Sequence, residues 1–320
     1  MATFYFVVQR TLPVAIPLLL VALGGMFSER SGIINIALEG LMIVGGFVGI
    51  FFINTLQQTG AALSGQGLLI VAMIISGLVG GIYSLMLAFA SVNMKADQTI
   101  VGTALNMIAP ALVIFIARTL YSVRNIPFVN EFFIREVPGL SKIPFIGDMF
   151  FKDVYATVYI GVLVLIISSL VLYKTRFGLR LRSCGEHPQA ADSVGINVYK
   201  IRYSGVVISG VLGGIGGLFF VIATSAMFSG NVAGYGFLAL AVMIFGQWKP
   251  GRIFLAALFF ALMGTISSAY ALVPFLARLN IRGDIYKMVP YIVTMIVLAF
   301  TSRKSRAPKA EGIPYDKGSR

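Results

Sequence analysis

Residues 201–223 read IRYSGVVISGVLGGIGGLFFVIA, and after Arg202 no charged residue occurs to the end of the stretch. A helix needs about 20 apolar residues to cross a hydrocarbon core, so this segment is long enough to span a membrane and too apolar to sit at a protein surface. Its glycines recur at Gly210 and Gly214 and at Gly213 and Gly217. That small-xxx-small spacing lets helix backbones approach closely where the hydrophobic effect no longer draws helices together. Gly45 with Gly49 and Gly77 with Gly81 repeat the pattern, and all are assigned to helix packing rather than ligand contact.

Outward from this stretch the chain repeats the same apolar design. Of 320 residues, 58% are hydrophobic and 12% charged, with mean hydropathy +0.90. A soluble domain carries about a quarter charged residues. Spans are predicted near 11–28, 32–54, 66–91, 98–120, 154–173, 201–223, 236–249, 252–273 and 286–302. The seventh is short and ends at GQWKP, which marks it as a broken or re-entrant element. The predicted fold class is all-α, a polytopic membrane helical bundle of about 8–10 transmembrane helices, with a candidate inverted repeat. One transmembrane domain covers 1–302, with a folded external segment over 121–153, a cytoplasmic loop over 174–200 and a cytoplasmic tail over 303–320.

The net charge of +13 does not indicate nucleic acid, because the cations flank apolar runs instead of lining a basic groove. There they act as topology determinants and contacts for anionic membrane lipid. With 174–200 inside, nine spans place 16 of the 25 Lys and Arg residues on the cytoplasmic side, including Arg30, Lys95, Lys249 and Arg252. The expectation is a cytoplasmic C-terminus and an external N-terminus. The first apolar run lacks the basic start and small-residue cleavage site of a signal peptide, so it is read as part of the mature chain. The repeat rests on GLVGGI at 77–82 and GVLGGI at 210–215, each in a span followed by a polar break and another span. Inverted repeats place a substrate path at their interface.

Polar residues within the apolar part are the candidate site. In FSERSGIINIALEGLMIVGG (27–46), Asn35 and Glu39 lie four apart after a break at Gly32. A carboxylate inside a span costs a few kcal/mol unless paired or wet. Either Ser28–Gly32 is a surface turn with Glu39 paired nearby, or a broken helix lines a conduit. Thr99, Thr103 and Asn106 share a helical face beside Gln98; Ser225, Ser229 and Asn231 follow the sixth span, and Gln247 ends the seventh. Such neutral groups suit a hydroxylated, uncharged substrate. The substrate path is accordingly assigned to Asn35, Glu39, Thr103, Asn106 and Gln247. No catalytic residues are expected: a phosphate-binding loop of the form G-x-x-x-x-G-K-[ST] is absent, and no nucleophile pairs with a base. One cysteine and one histidine exclude an intrachain disulfide and argue against a metal site. Cys184 and His187 are read as incidental neighbours in a loop.

Within that loop, Pro188 suits the first position of a helix. PQAADSV supplies about two turns, with Ala190, Ala191 and Val194 on one face, and Gly195 suits a left-handed stop. The stretch RFGLRLRSCGEHPQAADSVGINV (176–198) resembles the cytoplasmic loop of ABC-importer permeases, in the branch that serves branched-chain amino acids, ribose-type sugars and nucleosides. FSERSGIINIALEGLMIVGGF and GYGFLALAVMIFGQWKPGRIFLAALFFA are similar to early and late segments of the nucleoside subgroup, so the likeness covers nearly the whole chain. It departs at Ser183-Cys184, where small Ala or Val is usual, and at His187, where Asn is common.

This resemblance implies a coupling helix formed by Gly185, Glu186, Pro188, Ala190, Ala191, Gly195 and Ile196, which docks on a separate ATPase subunit. It further implies a transport subunit with no cofactor of its own, ATP and Mg being bound by the ATPase. The implied partners are that ATPase, a second and different permease chain, and a substrate-binding lipoprotein of the basic membrane lipoprotein kind. The implied location is the bacterial cell membrane and the implied substrate a nucleoside. Ribose-like sugars are the alternative substrate, and an ion-coupled secondary transporter is the alternative mechanism.

Overall fold

The computed structural model describes residues 2–60, 64–122, 124–137, 141, 147, 151–268, 285, 288, 292, 295 and 307–317. Ten helices occur among them: α1 (Ala2–Arg30), α2 (Leu38–Thr59), α3 (Gly65–Val92), α4 (Gln98–Tyr121), α5 (Ala156–Lys174), α6 (Arg176–Glu186), α7 (Pro188–Ser193), α8 (Val198–Thr224), α9 (Tyr235–Phe245) and α10 (Pro250–Ser268). Seven are long and apolar enough to cross a membrane. The helical membrane bundle is as expected, and the protein is multi-pass.

The quoted stretch is the axis of the fold. Helix α8 packs on α1, α2 and α3 together, and its glycines are where these helices meet. A Cβ at Gly214 would strike the Ser76 carbonyl of α3, and one at Gly217 would strike the Met42 carbonyl of α2. On the α1 side, a Cβ at Gly24 would lie 3.0 Å from the Ser209 carbonyl and 3.2 Å from Leu212. The glycine echo also finds its meaning here. Gly77 and Gly81 of α3 face Val211 of α8, so the two matching strings pack directly against each other in antiparallel array. Contacts of this kind replace hydrophobic association inside a membrane.

The outer faces are apolar. Ile70, Ile74, Leu78 and Ile82 on α3, Ile100, Met107 and Phe115 on α4, and Leu163, Ile166 and Leu170 on α5 are all exposed, as suits faces turned to lipid or to another membrane chain.

Two differences from the predicted spans have physical causes. The span expected from residue 32 begins at Leu38, because Gly32 sits at φ +98° and residues 31–37 form turns and irregular backbone. The short seventh span is half a helix: eleven residues rise about 16 Å, half of a hydrocarbon core of about 30 Å. It stops where Gln247 and Trp248 turn into positive φ. The ninth predicted span, 286–302, lies outside the described residues save for isolated positions.

Loops segregate to two ends. At one, the described parts of the 121–155 segment and the link after α8 form two small antiparallel ribbons, which span-counting did not foresee. Strand β1 (Ile126–Pro127) pairs with β4 (Met227–Phe228), and β2 (Phe133–Glu136) with β3 (Lys152–Tyr155). Asn54 and Gln57 of α2 donate to the Pro127 and Val129 carbonyls and hold the first ribbon down. The opposite end gathers the 31–37 break, the α3–α4 turn, α6, α7, the 246–249 turn and the 307–317 segment.

Candidate functional site

Two groups of residues carry the chemistry, one within the bundle and one at its cation-rich end. Inside, the break between α1 and α2 leaves backbone groups without helical partners. Each such buried group must find a partner within the protein, and here side chains of α1, of α4 and of the break itself supply it. Ser28 Oγ donates to the Ile33 carbonyl at 2.8 Å and Ser31 Oγ to the Ser28 carbonyl at 2.6 Å. Gln98 Oε1 accepts the Ile34 N–H at 2.7 Å. Asn35 donates from Nδ2 to Ser209 of α8 at 2.8 Å, while its Oδ1 accepts the Ala37 N–H at 3.1 Å. Asn106 of α4 bridges the restart of the helix: its Nδ2 donates to the Ile36 carbonyl at 2.8 Å, and its Oδ1 accepts the Gly40 N–H at 2.7 Å. The Gly40 donor is one of the four that every helix start leaves unpaired.

Glu39 performs the same service for a neighbour. Its Oε1 accepts the Gly234 N–H at 2.9 Å and its Oε2 the Gly236 N–H at 2.7 Å. The carboxylate therefore closes the N-terminus of the half-helix α9, where the helix dipole favours negative charge. The opposite end of α9 meets a second acid: Trp248 Nε1 donates to Glu29 Oε2 at 2.6 Å, and Arg30 Nη2 donates to the Trp248 carbonyl at 3.2 Å.

Of the five residues assigned to a substrate path, Asn35, Glu39 and Asn106 thus converge on the break, each spent on protein bonds. Thr103 stands apart, exposed on the outer face of α4, with its hydroxyl donating to the Thr99 carbonyl at 2.8 Å. Gln247 lies at the far end of α9 and accepts from Arg252 Nη1 at 3.1 Å. Asn35 and Glu39 do not share a helical face, since Asn35 precedes the helix. Residues 31–37 form a turn between α1 and α2 at the cation-rich end, and Glu39 is paired.

At the cation-rich end, the predicted loop is two helices rather than one. Thr175 starts α6 by accepting the Gly178 N–H on its hydroxyl at 3.1 Å. Pro188 opens α7 and Gly195 ends it at φ +82°, both as expected. His187 is not incidental: its Nδ1 accepts the Ala190 N–H at 3.2 Å and caps α7. Cys184 is buried with Ala191, Val198 and Tyr315, and burial pushes its thiol up to about 11.

The seven residues assigned to a coupling helix divide by face. Glu186, Ala190 and Gly195 are exposed, Gly185, Pro188 and Ala191 are buried, and Ile196 is half-buried. Ala190 and Ala191 therefore point to opposite sides. Val194, just past the helix, is an apolar knob, 75% exposed. Glu186 also reaches Arg30, 3.7 Å away.

Sequence reading overlooked three residues here. Arg202, counted as a loop cation, is 1% exposed, and its Nη1 donates to the Ile313 carbonyl at 3.1 Å. Trp248 and Glu311 both bond to Glu29. A lone tryptophan at the end of a short apolar helix was the available signal for the first of that pair; nothing local marks Glu311.

Comparison with known proteins fits this architecture. The sequence pattern of the family described as branched-chain amino acid transport system, permease component, matches residues 7–298. The chain belongs to this permease family. It is 44% identical to the guanosine ABC transporter permease protein NupQ of Bacillus subtilis, over 98% of this chain and 97% of that one. It is 41% identical to the nucleoside ABC transporter permease protein NupC of Lactococcus lactis, over 98% of each. A glucose permease of Haloferax volcanii, TsgC13, described as putative, is more distant at 29%. No solved structure matches.

Proposed function

We propose that this chain is the smaller permease of a bacterial nucleoside importer driven by a separate ATPase. The observation that carries the substrate is the end-to-end likeness, above 40% identity, to two permeases named for guanosine and nucleosides. A second Lactococcus nucleoside permease, NupB, is 22% identical, and this chain covers 86% of it. The chain is much closer to NupC, which supports a pair of unlike permeases in one importer. ATP and Mg belong to the ATPase, and a lipoprotein delivers substrate from outside.

In this reading the cation-rich end faces the cytoplasm, as the positive-inside tendency favours, and α6 and α7 receive the ATPase. The exposed residues Glu186, Ala190, Val194 and Gly195 make the contact, and Gly185, Pro188 and Ala191 seat the helices on the bundle. Nucleosides pass between the two permeases. Thr103, on an exposed face of α4, is placed to meet them; Asn35, Glu39 and Asn106 hold the wall behind it in shape.

The test is ATP-dependent uptake of labelled guanosine by the assembled importer in proteoliposomes. Competition by other nucleosides but not by ribose or glucose is expected. Competition by sugars alone would overturn the substrate, and gradient-driven uptake by this chain without ATP would overturn the class.

A further inference from the structure

We propose that residues 308–316 are a strap through which movement of the docking helices reaches the break between α1 and α2, so that the tail belongs to the coupling machinery. The proposal rests on the importer reading above, and it assigns a role to a segment that composition marks only as a polar end.

The strap touches every element such a linkage needs. From the docking side, the Ala310 N–H donates to the carbonyl of Gly185 in α6 at 2.8 Å. Tyr315 covers Cys184 and Ala191 and packs on Tyr199 of α8, ring centres 5.5 Å apart. From the membrane side, the Gly312 N–H donates to the Gly32 carbonyl at 3.2 Å. Gly312 takes φ +77°, a backbone conformation that favours glycine, and sits against the Ile34 side chain. A Cβ at Gly32 would in turn meet Arg202 Nη2 at 2.9 Å and the Ala310 carbonyl at 3.3 Å.

The buried Arg202 spans the junction, and its Nε and Nη2 have no hydrogen-bond partner among the described residues. A buried cation left this short of acceptors is unstable against rearrangement, which suits a joint that changes partners. Finally, Lys95 in the α3–α4 turn holds the far end of the strap through Asp316 at 2.6 Å. Docking helix, break, α8 and the α3–α4 turn are thus joined by nine residues of chain. Beyond Ile33 the break is held by the side chains of Gln98, Asn35 and Asn106, so a pull on Gly32 bears directly on it.

The experiment uses the assembled importer in proteoliposomes and compares guanosine uptake with ATP hydrolysis. Removal of residues 308–320 is expected to lower uptake per ATP by about tenfold, with the ATPase still co-purifying and still hydrolysing ATP. Lys95→Asp is expected to lower that ratio several-fold, and Lys95→Asp with Asp316→Lys to restore it, a rescue that a merely stabilising contact would not show in the ratio. Cys184, the chain's only cysteine, reports the strap directly: maleimide should label it slowly in the parent and faster in Lys95→Asp. Unchanged uptake per ATP in both the truncated chain and Lys95→Asp overturns the proposal, as does failure of the double reversal to rescue. Loss of the ATPase from the unaltered permease would instead overturn the importer reading.

Discussion

Glu39 illustrates how a residue that reads as functional from sequence can be structural. Its two oxygens serve two backbone donors of α9, and Glu39→Ala leaves both buried without partners. Each unsatisfied group costs about 1–3 kcal/mol, so a fall in thermal stability of the detergent-solubilised protein is expected, with Glu39→Gln intermediate because one acceptor oxygen remains. Glu311 gives the complementary case at the cation-rich end. Burial raises its carboxyl above the ordinary range, against the opposing effects of its hydrogen bond to Glu29 and of the Arg30 charge. The two carboxyls bond to each other, with Trp248 on Glu29 and Glu186 facing Arg30. One proton therefore lies between them when the tail is docked, and the free tail would release it. Docking is then strongest at acid pH and weakens as pH rises from the ordinary carboxylate range toward the raised value. Fluorescence of Trp248, the only tryptophan, should follow that change in the parent and lose it in Glu311→Gln.

Among the elements, α8 and α7 respond to substitution in opposite ways. At Gly214 or Gly217 a larger side chain meets backbone, which cannot move aside. Gly217→Leu is expected to abolish folded protein in the membrane, measured as loss of a monodisperse peak on size exclusion. On α7 the exposed Ala190 has room, so Ala190→Trp should leave folding intact and cut ATP-dependent uptake by about tenfold or more, because a hot-spot contact at the centre of an interface carries 2 kcal/mol or more. Full uptake in that variant would remove α7 from the docking surface. The long spans, the Pro-started and Gly-stopped α7 and the glycine seams were legible in sequence because each follows from length, spacing or a backbone restriction within a few residues. The clamps on the break were not. Asn106 and Ser209 look like ordinary polar residues until folding brings them to Ile36 and Asn35 across 70 and 174 positions of chain. The α6 helix was missed because its apolar positions, among them Leu181 and Cys184, are diluted by three arginines.

At the scale of the molecule, the apolar outer faces of α3, α4 and α5 set the boundary conditions. α4 is the least enclosed span along with α5, with 28% of its apolar window buried in each. Its exposed face carries Thr99 and Thr103 among apolar residues, so in the assembled importer it is expected to border the second permease. A cysteine introduced at Thr103 in a Cys184→Ala background should cross-link to the partner permease, and one at Ile166 of α5 should not. The helical bundle was legible in the sequence, since it depends on hydropathy. The tail's return to Gly32 was not, because the residues concerned have no pattern of their own.

Glu29 and Glu39 stand ten positions apart on either side of the break, and they grip α9 at both of its ends. That makes α1, α2 and the half-helix a single truss, with the carboxylates as its two bolts. Sliding α9 along α2 would break both grips at once, so any transport motion is expected to flex outside the truss. A one-residue deletion within α9 would pull both bolts out of register at once, whereas the same deletion in the exposed turn after α3 would leave the truss whole.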